Sequence, residues 1–134
     1  IEVPSACLDA RALFKEADFA SLGTNDLYQY LFALDQNNEQ LADGFNPDHP
    51  AFWNLIQSVA AVARRCRKPL SICGEIAGQP EYVLKLRDLG IDTVSLPPRL
   101  IPRLRRAIQA ADCSRPKPSK RAPTRARRRK DSPT

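Results

Sequence analysis

Three short runs of this chain each end in a side chain with chemical capacity. Glu2 lies in IEVPSA (residues 1–6), Asn25 and Asp26 in GTNDLYQY (residues 23–30), and Cys73 in SICGEIAG (residues 71–78). Asp26 follows Glu2 by 24 residues and precedes Cys73 by 47. Each run is apolar and β-prone up to the polar residue, and in a parallel barrel functional groups gather at such strand ends. A carboxylate, an Asn-Asp pair and a thiol offered to one mouth could hold a polar ligand and move a proton.

The elements that must position these groups can be read from the pattern of apolar residues. Residues 1–4 read as the end of a strand, and residues 8–17 as a short helix with Ala10, Leu13, Phe14 and Ala17 at helical spacing. A second strand covers residues 19–23. A long excursion over residues 27–48 begins as an aromatic-rich helix and continues as a polar, turn-rich loop. Pro50 opens a strong helix with Phe52, Leu55, Ile56, Val59 and Ala63 on one stripe. Asp48 or His49 serves as its cap, and Arg64, Arg65, Arg67 and Lys68 crowd its end, where cations suit the helix dipole. Pro69 stops it. Residues 70–73 form a third strand, residues 80–89 a helix closed by Gly90, residues 91–96 a fourth strand, and residues 100–111 a last helix. Strand and helix alternating four times imply a parallel sheet with crossover helices. Side chains alternate along a strand, so Ser21, Gly23 and Asn25 share one face, as do Ser71, Cys73 and Glu75. Leu22 and Ile72 point the other way, toward covering helices.

Charge divides the chain in two. The whole of its 134 residues carries +6, but residues 115–134 alone hold nine Lys/Arg against one Asp. The rest is mildly acidic. We read residues 1–112 as one globular α/β domain. Residues 113–134 read as a basic, Pro-rich tail with too little apolar surface to offset ordering entropy, and therefore disordered. No apolar stretch approaches the length of a membrane span. Ile1 stands inside an apolar run without an initiator Met, which reads as a piece of a larger protein entered in mid-barrel. The four cysteines show no CxxC spacing and the only histidine is His49, which argues against a zinc site and for a reduced, cytoplasmic setting.

The combination of IEVPSA, SLGTNDLYQY, NPDHPA, CGEIAG and SLPPRLIPRL resembles the C-terminal barrel of the phosphoenolpyruvate-utilising enzymes. Within them it is most similar to enzyme I of the bacterial sugar phosphotransferase system, with pyruvate phosphate dikinase a more distant relative. The resemblance covers residues 1–111 and implies the C-terminal half of a (β/α)8 TIM barrel, strands five to eight. It implies a phosphotransferase that moves the phosphoryl group of phosphoenolpyruvate to a protein histidine. Glu2 and Asp26 would be the Mg2+ ligands, in keeping with the one or two carboxylates that usually hold this ion. Asn25 would hydrogen-bond the phosphate. Cys73 would protonate the enolpyruvate carbon, with Glu75 assisting. A phosphocarrier protein would be the onward partner, reached through a histidine domain outside this chain, and the longer protein would be a homodimer.

Two departures from that family stand out. An Asp-Arg pair follows GTNDL in enzyme I, and its Arg grips the phosphate; here the pair is Asp35-Gln36, and Gln36 cannot give a charge-assisted bidentate contact. The helix after CGEIAG carries Lys85, Arg87 and Asp88, where the family has small, apolar residues. With neither the family's earlier phosphate-binding arginines nor its phosphorylatable histidine, the chain alone is expected to be inert and to expose open sheet edges. Read singly, Glu2 and Asp26 are solvated loop-entry acids, Cys73 a small buried hydrophobe, Asn25 a turn former and His49 a cap. The alternatives for the whole are a degenerate barrel piece kept for dimerisation or regulation, and a nucleic-acid binder acting only through the basic tail.

Overall fold

The computed structural model describes residues 1–34 and 46–114. Gln36 lies outside the described residues, as do residues 115–134 of the basic tail. Helices α1 (Pro4–Leu8) and α2 (Ala10–Glu16) precede strand β1 (Ala20–Gly23) and helix α3 (Thr24–Phe32). After the undescribed segment come α4 (Pro50–Cys66), β2 (Leu70–Cys73), a 3-10 turn (Glu75–Gly78), α5 (Pro80–Asp88), β3 (Thr93–Ser95), a second 3-10 turn (Pro98–Leu100) and α6 (Ile101–Ser114). No helix among the described residues is long and apolar enough to cross a membrane.

The chain is α/β with a small parallel sheet in the order β1-β2-β3. The register pairs Ser21 with Ser71 and Gly23 with Cys73, then Ser71 with Thr93 and Cys73 with Ser95. One face therefore carries a row of Ser21, Ser71 and Thr93 and a row of Gly23, Cys73 and Ser95. The opposite face carries Leu22 and Ile72, both 0% exposed, in the core with Phe14, Phe52, Ile56, Val59 and Leu86. The apolar face is covered by helices, as the alternation predicts, and Ser21 and Cys73 on the polar face are half-buried.

The first expected strand is reduced to a remnant. Ile1 gives its nitrogen to Ser21 O at 2.7 Å, and Gly23 N–H donates to Ile1 O at 2.9 Å. These are strand-like bonds at the outer edge of β1. Pro4 then occupies the first helical position of α1, where its missing N–H costs nothing, and the run turns away. The helix expected over residues 8–17 begins earlier and breaks at Asp9, whose backbone (φ −95°, ψ 14°) separates α1 from α2. Beside this edge Phe19 is 70% exposed, and Ile1, Leu13, Phe14 and Ala20 help line an apolar groove of about 650 Å3. The other edge, β3, pairs with β2 alone among the described residues. α6 runs to Ser114, two residues past the expected domain boundary at 112.

Capping follows the sequence closely at α4. His49 is its cap: Nδ1 accepts from Ala51 N–H at 3.2 Å, and Pro50 takes the first helical position. At the far end Arg67 adopts the left-handed conformation (φ 55°), and Lys68 N–H closes on Ala63 O. Two of the charges on helix α5, Lys85 and Arg87, have partners. The Lys85 ammonium sits 3.7 Å from the Trp53 ring centroid and 3.9 Å from Asp48 Oδ1, and Arg87 pairs with Asp112 at 2.6 Å. Tyr82, Val83 and Leu86 face the core, so the charges mark the outer side of a packed helix.

Candidate active site

The site is built at the C-terminal ends of β1 and β2, where each strand gives way abruptly to another element. β1 passes into α3 with no loop: Gly23 is the extended residue before the helix, and Thr24, Asn25 and Asp26 form its first turn. β2 passes into the 3-10 turn through Gly74, whose φ of 108° belongs to the region that glycine alone visits freely.

Two close approaches explain these glycines. A Cβ on Gly23 would lie 2.7 Å from both Cγ and Oε1 of Glu2, so the Glu2 side chain rests against the β1 backbone. A Cβ on Gly74 would collide with the Thr24 hydroxyl and lie 2.7 Å from Asn25 Oδ1. The Thr24 hydroxyl, buried at 2% exposure, instead donates to Cys73 O at 2.7 Å. Asn25 Oδ1 accepts from Glu75 N–H at 2.9 Å. That bond occupies the amide oxygen and leaves the Nδ2 hydrogens as the donors able to meet an anion.

The Cys73 sulfur lies on the polar sheet face, 3.7 Å from Ser21 Oγ, which donates to it, and 3.7 Å from Leu22 O, to which the thiol can donate. Glu2, Asn25, Cys73 and the Glu75 backbone are thus tied to two neighbouring strand ends through Gly23 and Gly74. Asp26 reaches the same end on α3, yet its carboxylate turns to Gln29 Nε2 at 3.4 Å and borders an open depression of about 360 Å3 with Tyr30 and Leu34. The Glu75 side chain is exposed.

Both expected metal ligands are exposed carboxylates, and neither forms an ion pair among the described residues. No group of three or more His, Cys, Asp and Glu that could hold a metal occurs among them either. The donor set fits a hard cation that takes one or two carboxylates and fills its shell with water and substrate oxygen. It does not fit a closed structural zinc centre.

A model of the PEP-utilising enzyme, PEP-binding domain matches residues 1–113. This chain belongs to that family. It is 39% identical over 109 residues to a phosphoenolpyruvate-protein phosphotransferase of Haemophilus influenzae, a match covering 81% of this chain and 19% of the relative. It is 42% identical over 113 residues to a probable phosphoenolpyruvate synthase of Archaeoglobus fulgidus, covering 84% and 15%. A multiphosphoryl transfer protein 1 of Escherichia coli is 36% identical over 112 residues, covering 84% and 14%. The chain thus spans a fifth or less of the length of these curated relatives. Among PEP-utilising enzymes, the resemblance to phosphoenolpyruvate-dependent phosphotransferases read from the motifs stands.

Thr24 and Ser21 were not singled out as site residues from the sequence, although both bear on Cys73. For Ser21 the signal was present, because strand parity already put it on the Cys73 face. Nothing in the spacing marks Thr24; its role follows from α3 starting directly at the strand end.

Proposed function

We propose that this chain provides half of a (β/α)8 barrel in a Mg2+-dependent phosphotransferase that consumes phosphoenolpyruvate. The observation that carries the reading is the pairing of Gly23 with Cys73. It brings the Glu2 carboxylate, the Asn25 amide and the Cys73 thiol to one end of two adjacent strands. Asn25 Nδ2 donates to a phosphate oxygen, and its orientation is fixed by the Glu75 N–H on Oδ1. Glu2 and Asp26 would hold Mg2+, which supplies charge neutralisation for the phosphate. The Asp26–Gln29 bond is long enough to be given up at little cost.

When a histidine nitrogen takes the phosphoryl group, the P–O bond breaks and its electron pair leaves pyruvate as the enolate. Cys73 then gives its S–H proton to the methylene carbon, leaving pyruvate and a thiolate. A thiol suits this step because it is largely protonated at neutral pH yet yields its proton readily. The exposed Glu75 carboxylate assists from the same turn. The accepting histidine belongs elsewhere: His49, the only one in the chain, is engaged as the α4 cap and packs on Phe32 with ring centroids 4.5 Å apart. A soluble cytoplasmic protein that dimerises and passes its phosphoryl group to a phosphocarrier fits this reading.

A chimera tests it, with residues 1–113 replacing the matching segment of the Haemophilus influenzae phosphotransferase. The expected result is Mg2+-dependent pyruvate release, lowered about 10²–10⁴-fold by Cys73→Ala. Undiminished release by that variant would remove Cys73 from the mechanism. A folded chimera that binds no phosphoenolpyruvate would favour the degenerate barrel instead.

A further inference from the structure

Once Cys73 has surrendered its proton, a negative sulfur is left on a half-buried strand face, and something must stabilise it. We infer that Ser21 is the positioning residue for this thiol: its hydroxyl holds the thiolate, while Leu22 O holds the thiol proton beforehand. The inference rests on the acid role given to Cys73 above and adds to it a residue that the reading did not need.

The geometry comes from strand register. Ser21 and Gly23 lie on the polar face of β1, Gly23 is level with Cys73, and Ser21 Oγ lies 3.7 Å from Sγ. The same sulfur lies 3.7 Å from Leu22 O. A carbonyl accepts hydrogen bonds only, so it favours the protonated sulfur. A hydroxyl can donate, so it favours the deprotonated one. The two contacts serve the two states: S–H toward Leu22 O at rest, and Ser21 O–H toward the sulfur after transfer. No bond is made or broken at Ser21.

The Ser21 backbone is itself held. Its carbonyl accepts from the Ile1 nitrogen at 2.7 Å, and β1 is paired to β2 along its length. The Gly23 level carries no side chain, which leaves Ser21 as the β1 side chain that reaches the sulfur. The ionisable side chains at this end of the strands are Glu2 over Gly23, Asp26 on α3 turned to Gln29, and the exposed Glu75 two residues on from Cys73. β3 contributes Ser95, which is uncharged, at the Cys73 level.

The test follows the alkylation of Cys73 by iodoacetamide as a function of pH, in the 134-residue chain, with each cysteine peptide quantified by mass spectrometry. Exposed Cys113 is the internal reference, and buried Cys7 reports loss of fold. Ser21→Ala is expected to move the Cys73 midpoint up by about half to one pH unit, and to cut its alkylation relative to Cys113 about three- to tenfold near neutral pH. Ser21→Thr, which keeps the hydroxyl, should restore the wild-type midpoint. Greater access in the Ala variant would raise the plateau rate and leave the midpoint alone, so the two effects separate. If Cys7 becomes reactive in Ser21→Ala, Ser21→Gly serves as the second hydroxyl-free variant. An unmoved midpoint in a folded hydroxyl-free variant, or a Thr variant that behaves like Ala, overturns the Ser21 assignment. Failure of the acid role itself would show separately, as undiminished pyruvate release by Cys73→Ala in the chimera.

Discussion

The two faces of the sheet differ by one residue of register and divide the work of the molecule. On one, Leu22 and Ile72 are completely buried against helices. On the other, Ser21 and Cys73 are half-buried and hydrogen-bonded to each other. The apolar face supplies the burial that holds the strands in place. At the adjacent strand ends the polar side offers the Cys73 thiol and the hydrogen-bonded Asn25 amide, with the exposed Glu2 side chain over Gly23.

The sharpest way to break this comparison is to exchange stability for chemistry. Ile72→Ala should destabilise the chain by about 2–5 kcal/mol in urea unfolding, through lost burial and a cavity. Its immediate neighbour Cys73→Ala should shift stability by less than about 1 kcal/mol while lowering pyruvate release in the chimera, on the reading proposed above, about 10²–10⁴-fold. Comparable losses of stability for the two would erase the distinction. Next in size is Thr24→Val, which removes the donor to Cys73 O from a buried position. We expect about 1–3 kcal/mol, together with altered Cys73 alkylation, because that hydroxyl ties α3 to the end of β2.

A pH-dependent effect follows from Tyr82. Burial, followed by its hydrogen bond to Asp48 and the nearby Asp48 and Glu81 charges, pushes the phenol above its ordinary value. The folded state then holds this proton more tightly than the unfolded one. The resulting stability is complete below about pH 10 and falls away as pH rises through the folded pKa. Thermal melts should drop more steeply above pH 10 in the wild type than in Tyr82→Phe. Equal slopes would contradict it. Buried Cys7, also raised by desolvation and partly offset by the Ile1 amino group, adds a similar loss in alkaline solution that Tyr82→Phe leaves in place. The smallest effect is expected for Lys85→Met, which gives up the stack on Trp53 and a long, exposed ion pair with Asp48. Double-mutant cycles with Trp53→Leu should give a coupling of no more than about 1 kcal/mol.

Much of the scaffold around the candidate site was legible in the sequence, for reasons tied to particular residues. LSIC between Pro69 and Gly74 leaves room for nothing but a short strand, and the structure has β2 over those four residues. Strand parity alone separated Ser21 and Cys73 from Leu22 and Ile72. Their place before Pro50 offered Asp48 or His49 as the cap, and the structure uses His49. The first strand was less legible because Pro4 can end a strand or begin a helix, and only the bonds from Ile1 to β1 show that it does both in turn. Contacts across strands, such as Thr24 to Cys73 O and Glu2 over Gly23, depend on register. No local pattern encodes that register.

Carboxylate, amide and thiol lie at one end of the sheet, which we propose binds a cation. Mn2+ substituted for Mg2+ tests it directly, through paramagnetic broadening of backbone amide signals in the 134-residue chain. The account predicts broadening first around Glu2, at Gly23, Asn25 and Asp26, and at Cys73, Gly74 and Glu75, all lost in the Glu2→Gln/Asp26→Asn double variant. Broadening centred on Asp48 or Asp88, or broadening that survives the double variant, would contradict it.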